Sequence, residues 1–249
     1  MPDWGAPAAV GAAMSTRTGG VSAPPYDSLN LGVAVGDDAA AVDQNRRRFA
    51  AAIGAAPVWL RQVHGARVVR VGAADLGAAA AEADGAWTDE PGVACAVQVA
   101  DCLPLLFAAP GGRAVAAAHA GWRGLAAGVL EATWQALCEG ASCAPADLRA
   151  WIGPGIGPRH FEVGADVLQA FGAAAIDIEQ PFFRFAPRAD GSARWLADLP
   201  ALAAARLRSA GLRQVVIAGG CTVSEPSRFF SFRRDGVTGR LAAAVWRHG

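Results

Sequence analysis

The chain has no lysine: all 22 of its basic residues are arginine. Any anion it holds must therefore meet a guanidinium or a backbone N–H, not an ammonium. Net charge is zero, 22 arginines against 22 acidic residues. That balance provides no field to draw nucleic acid or an anionic membrane, so neither is expected as a partner. No long apolar run exists. The most apolar stretch, 93–109, is broken by Gln98, Asp101 and Pro104 and falls short of the roughly 20 residues that span a bilayer. Charge is scarce at 18% and hydrophobic content is 53%, which excludes a disordered chain. A basic segment ahead of an apolar one is missing at the N-terminus, so no signal peptide is expected and the setting reads as cytoplasmic. Cysteine numbers five, an odd count, scattered at 95, 102, 138, 143 and 221. Such a pattern fits reduced thiols. Cys138 and Cys143 have no matching second pair, so a zinc ribbon is excluded.

What is present reads as one domain over 1–249, without repeats or linkers. Residues 15–36 form a long polar loop of turn-forming residues, in which Val21, Tyr26, Leu29 and Leu31 argue for order. The periodicity predicts a helix over 38–53, with Asp37 or Asp38 as N-cap and Gly54 as stop. Val42, Phe49 and Ile53 make its buried stripe, and Asn45 and Arg46 share that face. A buried polar pair needs partners; alternatively Arg46 runs along the helix flank to solvent. Strands are expected at roughly 57–63, 67–71, 93–99, 104–109, 113–119, 149–153 and 214–219. Helices are expected at about 122–138, with Leu125, Val129 and Leu137 inward, and at about 163–172 and 197–210. The run Gly153-Pro154-Gly155-Ile156-Gly157-Pro158 is no dinucleotide loop, because prolines replace the helix that such a loop must open. A closing hairpin is expected from 228–234 and 240–246 around Asp235–Gly239, with Ser231 and Arg233 on one face. Irregular alternation and frequent hairpins favour an α+β domain with mixed sheets over a doubly wound one.

Only four histidines are available, at 64, 119, 160 and 248. The segment 116–124 is a small-residue strand that runs into His119, a glycine-broken turn and a helix near Trp122. His119 thus sits at a strand end beside a helix N-terminus, where free N–H groups attract anions. His64 has a similar small setting, Val63-His64-Gly65, and Cys102 lies between the two in Ala100-Asp101-Cys102-Leu103-Pro104. Three N/S ligands from His64, Cys102 and His119 leave one position open on zinc, which is the catalytic arrangement. Cys102 and His119 also read as a metal-free nucleophile–base pair, with Asp101 orienting a histidine, acting as an acid, or simply capping a turn at the strand end. An ordinary core also supplies a cysteine among Val99, Leu103 and Leu105. Arg123 either clamps phosphate beside the helix start or faces solvent. Asn30 either contacts a ligand or shapes a turn, and Cys221 is either at a site or a buried thiol.

Several motifs in order resemble one family along nearly the whole chain: Ser15-Thr-Arg-Thr-Gly-Gly-Val-Ser22 with Ser28-Leu-Asn-Leu-Gly32, Arg61-Gln-Val-His-Gly65, Ala83-Asp-Gly85, Ala100-Asp-Cys-Leu-Pro104, Ala118-His-Ala-Gly-Trp-Arg-Gly124, Ile152-Gly-Pro-Gly-Ile156 and Phe230-Ser-Phe-Arg-Arg-Asp-Gly236. This is the YfiH, or laccase-domain, family, once called polyphenol oxidase. The resemblance implies a single domain of α/β/β/α layers and a zinc site on His64, Cys102 and His119. It also implies phosphorolysis of purine nucleosides, adenosine and inosine, to base and ribose 1-phosphate. Methylthioadenosine phosphorolysis and adenosine deamination are the related activities. Two positions depart from the family: Val99 stands where threonine is frequent and Phe232 where tyrosine is common. The oxidase label conflicts with the histidine count, since a multicopper centre needs on the order of ten imidazoles; a single copper in the zinc position stays open.

The expectation is therefore a monomeric, metal-dependent enzyme taking a nucleoside and phosphate, with Cys102, Asp101 and His119 catalytic. Arg46, Arg123 or Arg233 would position phosphate, Asn30 and Ser231 would be further substrate contacts, and Asp101 would protonate the departing base. The competing readings are a metal-independent Cys102/His119 hydrolase or deamidase, and a protein that processes or binds cell-wall precursors.

Overall fold

Asp38 starts the first helix: its carboxylate accepts the Ala41 N–H at 2.8 Å, and α1 (Ala39–Ile53) ends where Gly54 turns left-handed at φ 65°. The computed structural model describes residues 2–249. Among the described residues, thirteen strands and six α-helices follow one another as β1 (Val10–Met14), α1, β2 (Ala56–Trp59), β3 (Val68–Arg70), β4 (Gly85–Thr88), β5 (Val93–Val99), β6 (Leu103–Ala108), β7 (Val115–Ala120), α2 (Trp122–Ala126), α3 (Val129–Ala141), β8 (Arg149–Ile152), β9 (Glu162–Val163), α4 (Ala165–Ala170), β10 (Phe183–Phe185), β11 (Trp195–Ala197), α5 (Leu199–Ser209), β12 (Gln214–Ile217), α6 (Phe232–Asp235) and β13 (Leu241–Arg247).

Two mixed sheets carry the domain, in the orders β1-β13-β5-β2 and β12-β8-β6-β7-β4-β3, with a small third sheet β10-β11-β9. Their facing surfaces bury Val58, Val97, Leu106, Val115, Trp151 and Val245 between them. On the outer side of the first sheet, Phe49 of α1 packs against Ala94, Ala96, Ala242, Ala244 and Trp246. On the outer side of the second, Val129, Leu130 and Leu137 of α3 and Leu202 and Leu207 of α5 pack against Leu105, Phe107, Ala116 and Ala118. The result is the mixed α/β/β/α layering that the resemblance implies. Strands β5 and β13 are covered on both faces, so neither shows polar alternation: β13 reads Leu-Ala-Ala-Ala-Val-Trp-Arg and is buried from Leu241 to Trp246. The long loop 15–36 is ordered by Asn45 of α1. Its fully buried amide accepts from Val21 N and donates to Ser22 Oγ, Ser28 O and Asn30 O.

Several expectations are corrected. The helix anticipated over 122–138 is two, because Gly128 adopts φ 92° and breaks the ladder between α2 and α3. The C-terminal hairpin does not form. Residues 232–235 wind into a helical turn, with Ser231 Oγ accepting Arg234 N at 3.2 Å and Asp101 Oδ2 accepting Arg233 N at 2.6 Å. Strand β13 pairs instead with β1 and β5. Polar partners from a distant loop outcompete local strand pairing there, so Ser231 and Arg233 do not share a strand face. Strands β1, β4 and the small third sheet were not anticipated; β1, Val-Gly-Ala-Ala-Met, has weak strand propensity and is held by its partner β13. The strand expected to reach residue 63 stops at Trp59, and the chain then bends into the loop that presents His64. No helix among the described residues is long and apolar enough to cross a membrane.

Candidate active site and metal centre

Three loops meet at one rim of the paired sheets. His64 comes from the loop after β2, Cys102 from the turn between β5 and β6, and His119 from the end of β7. Their donor atoms all lie within 4.8 Å of one another, and Cys102 Sγ is 3.8 Å from His64 Nε2. The two imidazole rings meet edge to face with centroids 4.8 Å apart. His64 and Asp101 both hold left-handed backbones, at φ 61° and 92°. For residues with a Cβ this costs about 1–3 kcal/mol each and persists only where surrounding contacts enforce it.

Asp84 enforces it for His64. This carboxylate is fully buried ahead of β4. Oδ1 accepts the His64 backbone N–H at 3.0 Å and pairs with His119 Nδ1 at 2.8 Å. Oδ2 accepts the N–H groups of Val63 at 3.1 Å and Gly65 at 2.7 Å. One side chain therefore folds the His64 loop and fixes the His119 tautomer, leaving His119 Nε2 for the trio. A carboxylate behind a ligating histidine is the usual support of a metal site. Burial disfavours the Asp84 charge, yet the His119 hydrogen bond and the backbone N–H groups outweigh it and hold the carboxyl below its ordinary range.

Burial also opposes a thiolate at Cys102. The charge and hydrogen bond of His119, joined by His64, outweigh it and hold the thiol well below its ordinary value. His119 is pushed up correspondingly: burial pulls down, and Cys102 and Asp84 more than compensate. The two imidazoles thus favour the thiolate of Cys102, the form in which cysteine ligates a cation. Gly121 leaves the trio its room. A Cβ there would lie 2.8 Å from Cys102 Sγ and 2.9 Å from His64 Cδ2. Two imidazole nitrogens and a thiolate suit zinc, at bond lengths of about 2.0–2.3 Å. The residues present therefore fit one such ion.

The trio opens into a cavity of about 660 Å³, within the roughly 300–1,000 Å³ of small-molecule sites. Trp59, Trp122, Phe161 and Phe232 are its aromatic walls, and Arg46, Arg233 and Arg240 its unpaired cations. Arg46 lies over the Trp59 ring at 4.2 Å and donates from Nε to Leu31 O at 2.9 Å. Arg240 brackets the same residue, its carbonyl accepting Leu31 N at 3.0 Å. Burial pushes the Arg46 guanidinium down to about 10 against the pull of Asp43. It lowers Arg240 too, against Cys102 and Asp101. Among the described residues neither forms an ion pair with a carboxylate. Desolvated, unpaired guanidiniums in a cavity favour an anionic occupant.

The expected residues divide into two sets. His64, Cys102, His119, Arg46 and Arg233 converge on the cavity. Arg123 does not: it is exposed and stacks on Trp122 at 4.3 Å, the solvent-facing alternative. Asn30 is fully buried. Its Oδ1 accepts Gly32 N and Arg240 N, and its Nδ2 donates to Asp37 Oδ2, so it shapes the turn that seats Arg240 instead of meeting a ligand. Ser231 is buried as the cap of α6. Asp101 lines the cavity, but its carboxylate accepts Thr222 Oγ1 and Arg233 N, both at 2.6 Å. Two donors hold it as an anchor for α6, not as a proton donor to a base. Cys221 Sγ accepts Gly157 N at 3.2 Å, outside the trio. Sequence reasoning missed Asp84, Gly121 and Arg240. For Asp84 the signal was present: a lone carboxylate between Ala83 and Gly85, entering a small-residue strand.

Comparison with known proteins gives the following. The family model described as multi-copper polyphenol oxidoreductase laccase matches residues 11–248. A Pseudomonas aeruginosa protein named purine nucleoside phosphorylase is 49% identical over 246 residues, 98% of this chain and 96% of that protein. Escherichia coli purine nucleoside phosphorylase YfiH is 45% identical over 248 residues, 99% and 97% of the two chains. Among solved structures, a DUF152 protein of Neisseria meningitidis superposes with a TM-score of 0.88 at 44% identity, covering 99% of this chain and 98% of the other. YlmD from Geobacillus stearothermophilus gives 0.87 at 36% identity, covering 97% and 93%.

Proposed function

This chain belongs to the multi-copper polyphenol oxidoreductase laccase family, and from that premise we propose that it is a purine nucleoside phosphorylase. Its substrates are adenosine or inosine, and by extension methylthioadenosine, with phosphate as the second reactant. A phosphate oxygen bonds to the anomeric carbon, and the carbon–nitrogen bond breaks with its electron pair leaving on the base. The base nitrogen takes up a proton from phosphate or water, giving free base and ribose 1-phosphate. The observation that carries this reading is one cavity holding the unpaired, half-buried guanidiniums of Arg46 and Arg240 and the exposed one of Arg233, together with aromatic walls and the His/Cys/His trio. Arg46 and Arg233, with Arg240, bind and orient phosphate. Trp59, Trp122 and Phe232 offer apolar surface to a purine.

His64, Cys102 and His119 would hold the metal, zinc in the first instance and copper as the competitor for the same ligands. When bound, zinc supplies a Lewis acid, the chemistry that accompanying adenosine deamination requires. Asp84 keeps His119 in the ligating tautomer, and Asp101 holds α6, and with it Phe232 and Arg233, against the cavity. The thiolate character of Cys102 beside His119 favours one second reading, a metal-free cysteine hydrolase or deamidase. We keep the protein a cytoplasmic monomer.

Chromatographic product analysis distinguishes these. Purified protein is incubated with adenosine, with and without phosphate, beside Cys102→Ala. Adenine and ribose 1-phosphate only with phosphate, and only in wild type, are expected. Inosine formed without phosphate marks the deaminase activity. Activity that survives chelation and dies on thiol alkylation would install the cysteine reading instead, and no product at all would reject nucleosides as substrates.

A further inference from the structure

Helix α3 ends in a motif that places two thiols side by side. Ser142 takes the left-handed C-terminal position at φ 49°, and the next residue's N–H, Cys143 N, closes back onto Cys138 O at 3.1 Å. This backbone closure characteristically brings the side chain just past the left-handed residue onto the one three positions inside the helix end, usually as an apolar contact. Here both are cysteine, and their sulfurs lie 4.0 Å apart. Cys95, Cys102 and Cys221 have other surroundings. Cys95 is buried in β5, Cys102 belongs to the trio, and Cys221 accepts from Gly157.

The two sulfurs differ in a way that assigns their roles. Cys138 is buried, 9% exposed, while Cys143 is partly open to solvent. Closing 4.0 Å to a disulfide's roughly 2.05 Å needs side-chain rotation only where the two backbones already lie close, and the Cys143–Cys138 hydrogen bond holds them there. The pair also lies away from the cavity. Helix α3 leaves the site end of β7 through α2 and runs back along that strand, so its C-terminus is at the opposite end of the sheet from His119.

We propose that Cys138 and Cys143 form a thiol–disulfide exchange site whose reactant is a small-molecule disulfide such as oxidised glutathione. The Cys143 thiolate attacks one sulfur of that disulfide, forming a mixed disulfide as the first thiolate leaves and takes up a proton. Cys138 then gives up its proton and attacks Cys143 sulfur. The second small thiol departs and the intramolecular bond closes. Two protein thiols are oxidised and one small disulfide is reduced to two thiols. Burial pushes the Cys138 thiol up to about 12, with Cys143 adding to the effect. Cys138 is therefore the resolving partner, not the first attacker.

The whole protein is equilibrated in a series of reduced and oxidised glutathione ratios, quenched by alkylation and digested with trypsin. Both cysteines fall on one tryptic peptide, 124–149, because the chain has no lysine and Arg123 and Arg149 flank it. The expected product is that peptide unalkylated and lighter by two hydrogens, forming at an oxidation ratio at least tenfold milder in folded protein than in urea. In Cys138→Ser the mixed disulfide should accumulate on Cys143, whereas in Cys143→Ser Cys138 should stay free. Recovery of both cysteines alkylated from folded protein, an equal ratio in folded and unfolded protein, or glutathione trapped on wild-type Cys143 would overturn the proposal.

Discussion

Replacing Asp84 with asparagine removes one oxygen's charge without changing shape, and the geometry predicts that no amide orientation is acceptable. Oδ1 meets His119 Nδ1 and His64 N, while Oδ2 meets Val63 N and Gly65 N. With the amide nitrogen at the Oδ1 position, His119 Nδ1 must accept, its proton moves to Nε2, and the ligating atom is lost. With the nitrogen at the Oδ2 position, two N–H donors face an NH₂ and the His64 loop loses its anchor. The first outcome should weaken zinc binding by about 10–100-fold, or about 1.4–2.8 kcal/mol. The second leaves one or two donors unsatisfied at about 1–3 kcal/mol each. At about 2–4 °C per kcal/mol for a domain of this size, that lowers the Tm by about 2–24 °C. A chelator competition titration measures the affinity, and thermal melts in excess chelator isolate the structural part. The pH dependence has a defined sign. Because the Asp84 carboxyl is held below its ordinary range, its stabilisation is complete above the unfolded value of about 4 and is lost as pH falls through the lower folded value. Asp84→Asn should lack that acid-limb loss. If the variant binds zinc within twofold of wild type while His119→Ala releases it, the tautomer argument is wrong.

Gly121→Ala should cost metal affinity about tenfold or more with an unchanged circular dichroism spectrum, since φ −70° suits alanine and only the new Cβ collides with Cys102 and His64. Arg46→Met and Arg240→Met should each raise KM for phosphate by about 10–150-fold, the equivalent of a charge-assisted hydrogen bond of about 1.5–3 kcal/mol, while Arg123→Met leaves it unchanged. A uniform effect of all three on nucleoside KM would remove the anion-seat assignment. In chelator-treated protein, Cys102 should alkylate with a pH midpoint well below that of an ordinary thiol, because His119 and His64 favour its thiolate over the opposing burial, and added zinc should protect it. Peptide mapping of iodoacetamide-labelled protein reads this directly, and labelling no faster than that of a free thiol peptide would contradict the thiolate.

Much of the candidate site was legible because its ligands carry rare chemistry. Four histidines in 249 residues, two of them in glycine- and alanine-flanked turns, narrow a ligand search before any contact is known. Spacing put Arg46 on the inner face of its helix but left open a run along the flank to solvent, which the structure resolves toward the cavity. Asp84 was harder: its lone carboxylate between Ala83 and Gly85 stood out, yet nothing local says that three N–H groups of the His64 loop and the His119 imidazole of β7 will converge on it. Arg240 was missed for a related reason: it opens a strand whose partners, β1 and β5, lie far off in sequence. Arg123 and Asn30 show the reverse error, where a residue type suited to binding lies beside the site but is turned to solvent or consumed by a turn.

The sequence by itself determined the α+β class and the ends of α1, and its small stock of histidines singled out His64, Cys102 and His119 as candidate ligands; the layering and the zinc assignment came from the family resemblance. The first two follow from periodicity and from capping residues. Only the tertiary structure decided that 122–141 is two helices, that the C-terminal segment is a helical turn and a central strand, and that Asp101 anchors while Asp84 orients. Local propensity has a range of a few residues, but hydrogen-bond satisfaction acts across the whole fold. The Asp101 carboxylate reaches Arg233 N across 132 positions, and no window along the chain contains both.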